Sequence, residues 1–295
     1  MLQKGPLNVL ACYLCWGMLP LFWATLSSVG AFAVLGYRIL FSLVFISLYL
    51  LLTGHWQDAR DLLQDKTECR RILYASLAVF VNWGGYIWAV NAGRVVDASL
   101  AYYMNPILSI PIGAIFFKEK LTGLQWLAVG LMTAGIAITA MRYGQIPWLA
   151  LLIGGSFVIY GLLKRGVTSN AAVSLFGESL FVMPLVLVCI IWCEWTGTGA
   201  VGNLSGAQWL LLPAAGVVTA VPLLFFSRGI KTTSNTLTGI LMLINPTMQL
   251  LVGVLLMDSE FTDSHAILFA FIWSGLALFL TGSILQNRKA QQNAG

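Results

Sequence analysis

The stretch Ala98–Phe117, ASLAYYMNPILSIPIGAIFF, decides the fold. At about 1.5 Å of rise per residue it is long enough to cross a hydrocarbon core of about 30 Å, yet Asn105-Pro106 interrupts it near the middle. Pro106 has no backbone N–H and frees the carbonyl of Tyr102, a polar group that lipid cannot satisfy. Buried protein or a water-filled cavity must face it, and Tyr102, Tyr103 and Asn105 supply polar groups suited to a cavity. The same dipeptide recurs as Asn245-Pro246 inside a second apolar run, Thr236–Met257, 140 residues later.

That offset reaches beyond the dipeptide. Adding 140 also takes Leu35 to Leu175, Leu40 to Leu180, Phe41 to Phe181, Gly113 to Gly253, Thr122 to Thr262, Gly135 to Gly275 and Ala137 to Ala277. Leucine matches arise by chance in so apolar a chain, so the Asn-Pro pairs and the glycines carry the weight. The chain reads as a duplication, with halves 1–143 and 144–295.

A chain of 295 residues that is 59% hydrophobic and only 9% charged is too apolar for a soluble domain. Continuous apolar runs rather than alternating ten-residue segments make it an all-α membrane protein, not an outer-membrane barrel. The net charge of +5 is no sign of nucleic acid, because the basic residues sit in short loops without a basic stripe. Four of the five cysteines fall inside predicted spans and the number is odd, so no disulfide framework is implied. Cys12 and Cys15 form a lone C-x-x-C with only His55 and His265 elsewhere, which reads as packing rather than a metal site. No cofactor is expected.

Ten spans can be read, roughly 7–26, 30–52, 72–93, 97–117, 123–141, 146–164, 173–194, 207–228, 234–257 and 264–285. The first resembles a signal peptide, but it is too long, and its Trp16-Gly17 is matched by Tyr160-Gly161, so cleavage is not expected. The one long loop, Thr53–Arg71, carries mixed charge and reads as a solvated connector. With the N-terminus inside, thirteen lysines and arginines fall on the cytoplasmic side, Lys164 among them, against Arg94 and Arg142 outside. Both termini are therefore expected in the cytoplasm, with the chain in a bacterial inner membrane. Five spans per half is an odd number, so the halves enter the membrane in opposite senses as an inverted repeat. Such repeats place a site near the midplane between the halves.

Two full charges lie well inside predicted spans, Arg38 and Glu178, again 140 apart. Intramembrane charges cost at least about 2.5 kcal/mol on insertion scales and mark function by default. Their depths differ by roughly 10 Å, which two long side chains largely close, so a pair across a central cavity is feasible. The two readings are a structural ion pair and a transport role, with Glu178 exchanging a proton or meeting a cationic substrate group and Arg38 holding an anionic one. Trp16, Asn82, Trp83, Tyr86, Tyr102 and Tyr160 are the other candidate substrate contacts. Trp88 and Phe157 lie among them. Asn105, Pro106, Asn245 and Pro246 are candidate hinges or gates, a duplicated break implying a duplicated task.

The run Asn82-Trp83, then Ile87-Trp88-Ala89-Val90-Asn91, Ala98-Ser99-Leu100, Tyr103-Met104-Asn105-Pro106 and Gln125-Trp126-Leu127-Ala128 resembles the RarD proteins of the EamA branch of drug/metabolite transporters. Tyr160-Gly161, Glu178, Val221-Pro222-Leu223-Leu224 and Phe269-Ala270-Phe271-Ile272-Trp273 extend the similarity over essentially the whole chain. The resemblance implies ten transmembrane helices in two inverted five-helix repeats around a central cavity. Tyr37-Arg38 stands where that family usually has His-Arg, which argues against a histidine proton relay here. Lys118-Glu119 and Asp258-Ser259-Glu260 also depart from its usual Gly-Glu, at helix ends.

The expected function is a secondary transporter of a small organic metabolite or drug, an exporter or exchanger working by alternating access, with protons a candidate coupling ion. No G-x-x-x-x-G-K-[ST] is present. A multidrug or amphiphile exporter relying on an aromatic cavity, and a non-transporting membrane scaffold or sensor, are the alternatives. An intramembrane enzyme finds no His-Glu-x-x-His, no Gly-x-Ser-x-Gly and no paired aspartates in the spans. Monomer and homodimer are both compatible with the sequence.

Overall fold

The computed structural model describes residues 4–91, 95–142, 148–256 and 263–292, which are α-helical apart from short turns, with no strand among them. The helices are α1 (Lys4–Ala24), α2 (Ala31–Leu52), α3 (Trp56–Gln64), α4 (Lys66–Asn91), α5 (Val95–Phe116), α6 (Gly123–Arg142), α7 (Trp148–Arg165), α8 (Ala171–Trp195), α9 (Leu211–Ile230), α10 (Asn235–Met242), α11 (Ile244–Leu256) and α12 (Asp263–Gln292). Among the described residues nine stretches are long and apolar enough to span a membrane, α10 and α11 together forming one of them, while Ala101–Phe116 of α5 is a shorter apolar helix. That described apolar stretch belongs to the 22-residue α5 and lies in the fourth of the ten spans expected. The lipid-facing sides carry the apolar residues that no partner covers, such as Leu52, Phe116, Val188, Ile191 and Leu255. That inversion of the soluble pattern is what a bilayer solvent selects.

Two sequence expectations need correction. The loop Thr53–Arg71 is not simply a solvated connector, since it holds α3, which buries Ala59 and Leu62. Trp56 of α3 meets Phe176 of α8 edge-on at 5.5 Å, and Leu62 lies against Gly177. The matched Asn-Pro dipeptides also differ in their effect. α5 runs unbroken through Pro106 and Pro111, whereas the ninth span is interrupted at Leu243, leaving Pro246 in the first turn of α11. In a first turn the missing N–H costs nothing, because that donor has no intrahelical partner.

Helix contacts recur when each helix is exchanged for its partner 140 or so residues away. α4 packs on α7 as α9 packs on α1; α2 packs on α9 as α8 packs on α4; α5 packs on α7 as α10 and α11 pack on α1. The pairs α2–α8, α5–α10 and α6–α12 contact each other directly. At the α6–α12 crossing Gly135 lies against Phe271 and Gly275 against Met132, so each helix offers its small residue to the other's bulk.

The helix ends around α7, α8, α9 and α10 are tied by polar side chains. Asn170 caps α8 by accepting from the Val173 N–H at 2.9 Å, and Ser234 caps α10 through Leu237 at 3.1 Å. Glu119, beyond α5, accepts from the N–H groups of Asn235 and Thr236 at 2.8 and 2.9 Å, placing a carboxylate where the α10 dipole favours one. Glu68 of α4 accepts from the backbone of Thr168 and Ser169 at 2.6 and 2.7 Å. Lys231, just past α9, donates to the Ser169 carbonyl; burial first, and then the charge of Lys164, pull its pKa down.

Candidate functional site

A cavity of about 660 Å³ enters the bundle from the end where α1 turns into α2. Trp23, Ala24, Leu26, Ser27, Val29 and Gly30 form its mouth, and Asn105, Met242 and Asn245 lie at its depth. Of the sequence-predicted residues, Trp16, Arg38, Asn82, Trp83, Tyr86 and Tyr102 line it together with Asn105 and Asn245. Tyr160, Glu178, Pro106 and Pro246 are not among its walls.

Arg38 is the one charged side chain on the described walls of this cavity. Its guanidinium lies over the Trp83 ring, 4.2 Å from the centroid, with the centroid of the Trp23 ring at 5.6 Å. Aromatic faces offset part of the cost of taking the cation out of water. Arg38 forms no ion pair among the described residues, and its Nε meets no acceptor. The feasible Arg38–Glu178 pair is therefore not what the fold makes.

The other wall residues have partners that set their positions. Asn82 donates from Nδ2 to the Ile153 carbonyl at 2.7 Å, tying α4 to α7 while its flank faces the cavity. Tyr86 and Tyr102 meet edge-on at 5.4 Å. Gln249 donates to Asn245 Oδ1 at 3.1 Å and approaches the Trp16 carbonyl at 3.5 Å, joining α11 to α1. Sequence reasoning missed Gln249 and Trp23. Gln249 was signalled by its place one turn after Asn245, on the same helix face. Trp23 sits one turn beyond Leu19 and two beyond Trp16, on the same stripe of α1.

Beneath the cavity the rings of Tyr13, Trp16, Phe157, Tyr160 and Phe226 form a plug, with Trp16–Phe157 at 5.8 Å, Phe157–Phe226 at 5.6 Å and Tyr160 stacked on Phe226 at 5.8 Å. Phe157 and Met242 line both the cavity and a smaller apolar void of about 30 Å³ on the other side of the plug. The Tyr160 hydroxyl then donates to Glu178 at 3.0 Å. Glu178 also accepts from Ser174 at 2.9 Å and is paired with Lys164, whose Nζ lies 2.8 Å from Ser174 Oγ. Lys164 is 1% and Glu178 4% exposed, so the pair is sealed inside the protein. Counting Lys164 among the loop cations misplaces it; its position one turn after Tyr160, on the same face of α7, was the available signal.

Known proteins place this arrangement. The model of the EamA-like transporter family matches residues 3–141. An uncharacterized transporter, YojE of Bacillus subtilis, is 37% identical over 99% of this chain and 98% of its own length. Protein RarD of Salmonella typhi is 33% identical over 97% of this chain and 98% of its own length, and protein RarD of Escherichia coli is 29% identical over 98% of each. A solved crystal structure of a protein 18% identical in sequence superposes with a TM-score of 0.72 over 96% of this chain and all of that one, a likeness of fold. The class is thus a multi-pass helical membrane transporter of the drug/metabolite type. The chain belongs to the RarD family of EamA-like transporters.

Proposed function

We propose that the protein is a secondary transporter that moves a small organic solute across the bacterial inner membrane by alternating access, as two inverted five-helix halves. One observation carries this reading: the path through the bundle is open at one end and closed at the other, and repeat-related positions stand in opposite states. Trp16, Pro20, Val34 and Arg38 line the open cavity. Their counterparts Tyr160, Lys164, Ser174 and Glu178 are packed against one another at the closed end. Exchanging the conformations of the two halves closes the first set and opens the second, which is how inverted repeats alternate. The reciprocal helix contacts support the same division of the chain.

The lysine and arginine bias supports a cytoplasmic closed end, and on this reading the conformation faces outward. In it Glu178 acts as a lock, and the aromatic plug with Lys164–Glu178 behind it is the inner gate. Asn105, Asn245 and Gln249 form the floor on which the solute rests. A gradient drives export or exchange. The test compares the spent medium of cells expressing wild type, Glu178→Gln or an empty vector at matched levels, by untargeted metabolite profiling. Accumulation of one solute class outside only with wild type is expected. Identical media from wild type and empty vector, under conditions of verified membrane expression, would contradict transport and favour a scaffold.

A further inference from the structure

We propose that the solute is an organic monoanion with a flat apolar body, a carboxylate on an aromatic or similar frame, and that Arg38 holds its charge; this rests on the transport reading above.

The chemistry of the cavity selects that class step by step. Its described walls carry one full charge, positive, and no acidic side chain, so a cationic solute meets the repulsion of Arg38 and no carboxylate to pair with. A neutral solute leaves the guanidinium as it is, its buried Nε unsatisfied and no ion-pair partner among the described residues. An anion removes that cost, and one guanidinium balances one charge, so a dianion would carry an unpaired charge into the bundle. The Trp83 ring covers a face of the guanidinium at 4.2 Å. Its N–H donors point outward in the plane, which is the direction from which a carboxylate makes paired hydrogen bonds. A ring attached to that carboxylate then lies along the walls of Trp16, Ile87, Phe157 and Met242. A volume of about 660 Å³ is that of a site for one small molecule and is too small for a folded polymer.

The closed end fits the same class. Lys164 is a second buried cation on the path, and Glu178 is its resident carboxylate. When the inner gate opens, a solute carboxylate is chemically equivalent to Glu178 as a partner for Lys164. The anion then passes from one cation to the other, and the Glu178 carboxylate that it displaces is hydrated by the water that enters through the opened gate.

The experiment uses the purified full-length protein in detergent micelles and measures binding of three radiolabelled probes of one shape by equilibrium dialysis: 2-naphthoate, neutral 2-naphthamide and 2-naphthylmethylammonium. Wild type is expected to bind naphthoate at least about tenfold more tightly than naphthamide, with the ammonium weakest. Arg38→Gln is expected to lose about tenfold to a hundredfold in naphthoate affinity while naphthamide binding stays as in wild type, a split that general damage to the fold would not produce. Arg38→Lys keeps the charge but not the stacked, planar fork and falls between the two. Equal affinity for the three probes, preference for the ammonium, no naphthoate binding by monodisperse wild type, or unchanged naphthoate affinity in Arg38→Gln would each overturn the proposal. If Arg38→Gln does not purify as a monodisperse species, unchanged naphthoate affinity in Arg38→Lys overturns the role of the guanidinium and weaker binding supports it. A failure here leaves solute flux in the spent-medium test intact, and a failure of flux leaves this binding selectivity measurable, so the two readings fall separately.

Discussion

Arg38 and Glu178 hold equivalent positions in α2 and α8, 140 residues apart, and have opposite surroundings. Arg38 borders an open cavity, faced by indole rings and by no carboxylate of the described residues. Glu178 lies behind five packed rings with Lys164, Ser174 and Tyr160 all directed at it. A buried ion is tolerated only when something answers its charge. At Glu178 the protein itself supplies the answer, so the closed end is stable as it stands. At Arg38 the answer is partial, and that shortfall is what a solute can meet. The difference between the two positions separates a lock from a binding site.

The largest effect is expected from breaking the lock on one side. Glu178→Gln leaves Lys164 buried without a carboxylate, a loss of about 3–5 kcal/mol in stability when one partner of such a pair is removed. It should be read as a marked drop in the thermal transition of the purified protein. Replacing both members together, Lys164→Met with Glu178→Leu, removes the uncompensated charge. The double variant should recover most of the stability, as apolar replacements of whole pairs do, yet stay inactive in the spent-medium assay. A double variant as unstable as Glu178→Gln would mean that the pair does more than neutralise itself.

A smaller loss, about 1–3 kcal/mol, is expected from Gly135→Leu, because a side chain there must displace Phe271 at the α6–α12 crossing. This crossing is remote from both charges, so the variant should lower the thermal transition without altering the preference among the naphthyl probes. Changed selectivity would show that the comparison of the two charges is too local. The smallest effect concerns Trp83→Leu. Removing the ring face from Arg38 weakens a contact of about 0.5–2 kcal/mol, so naphthoate binding should fall several-fold with little change in stability. A stability loss as large as that of Glu178→Gln would assign Trp83 to the fold rather than to the site.

Much of this was legible in the sequence. Long apolar runs can only be membrane helices, and the helix-crossing Gly135 and Gly275 were visible through the same offset that relates the two charges. The cavity walls were also legible in part, because polar and aromatic residues inside apolar spans are costly unless something faces them; Trp16, Asn82, Trp83, Tyr86 and Tyr102 all turn toward the same space. What periodicity could not tell was partnership. Arg38 and Glu178 carry opposite charges at one register, but which cation meets Glu178 depends on how α7 packs, and Lys164 near a helix end looks like any loop lysine. The helix α3 was hidden for a related reason. Trp56, Ala59 and Leu62 have helical spacing, but Gln57, Asp58, Arg60 and Asp61 between them dominate the composition of so short a segment. The Asn-Pro dipeptides identify the carbonyls that lose a donor. Whether the helix continues past that point, as α5 does, or is interrupted, as between α10 and α11, is not carried by the dipeptide, which is the same in both spans.

The most direct test of two halves in opposite states uses Val34 and Ser174, equivalent positions on α2 and α8, one on the cavity wall and the other 1% exposed beside Glu178. In a background with the five native cysteines replaced, Val34→Cys and Ser174→Cys are each exposed to a membrane-impermeant maleimide in right-side-out and inside-out vesicles. Val34→Cys should react from the outside, and Ser174→Cys should be silent there but react slowly from the inside, faster when a transported anion is present to drive cycling. Reaction of Ser174→Cys from the outside, reaction of Val34→Cys only from the inside, or a Ser174→Cys that never reacts from either face would contradict alternating access through this cavity.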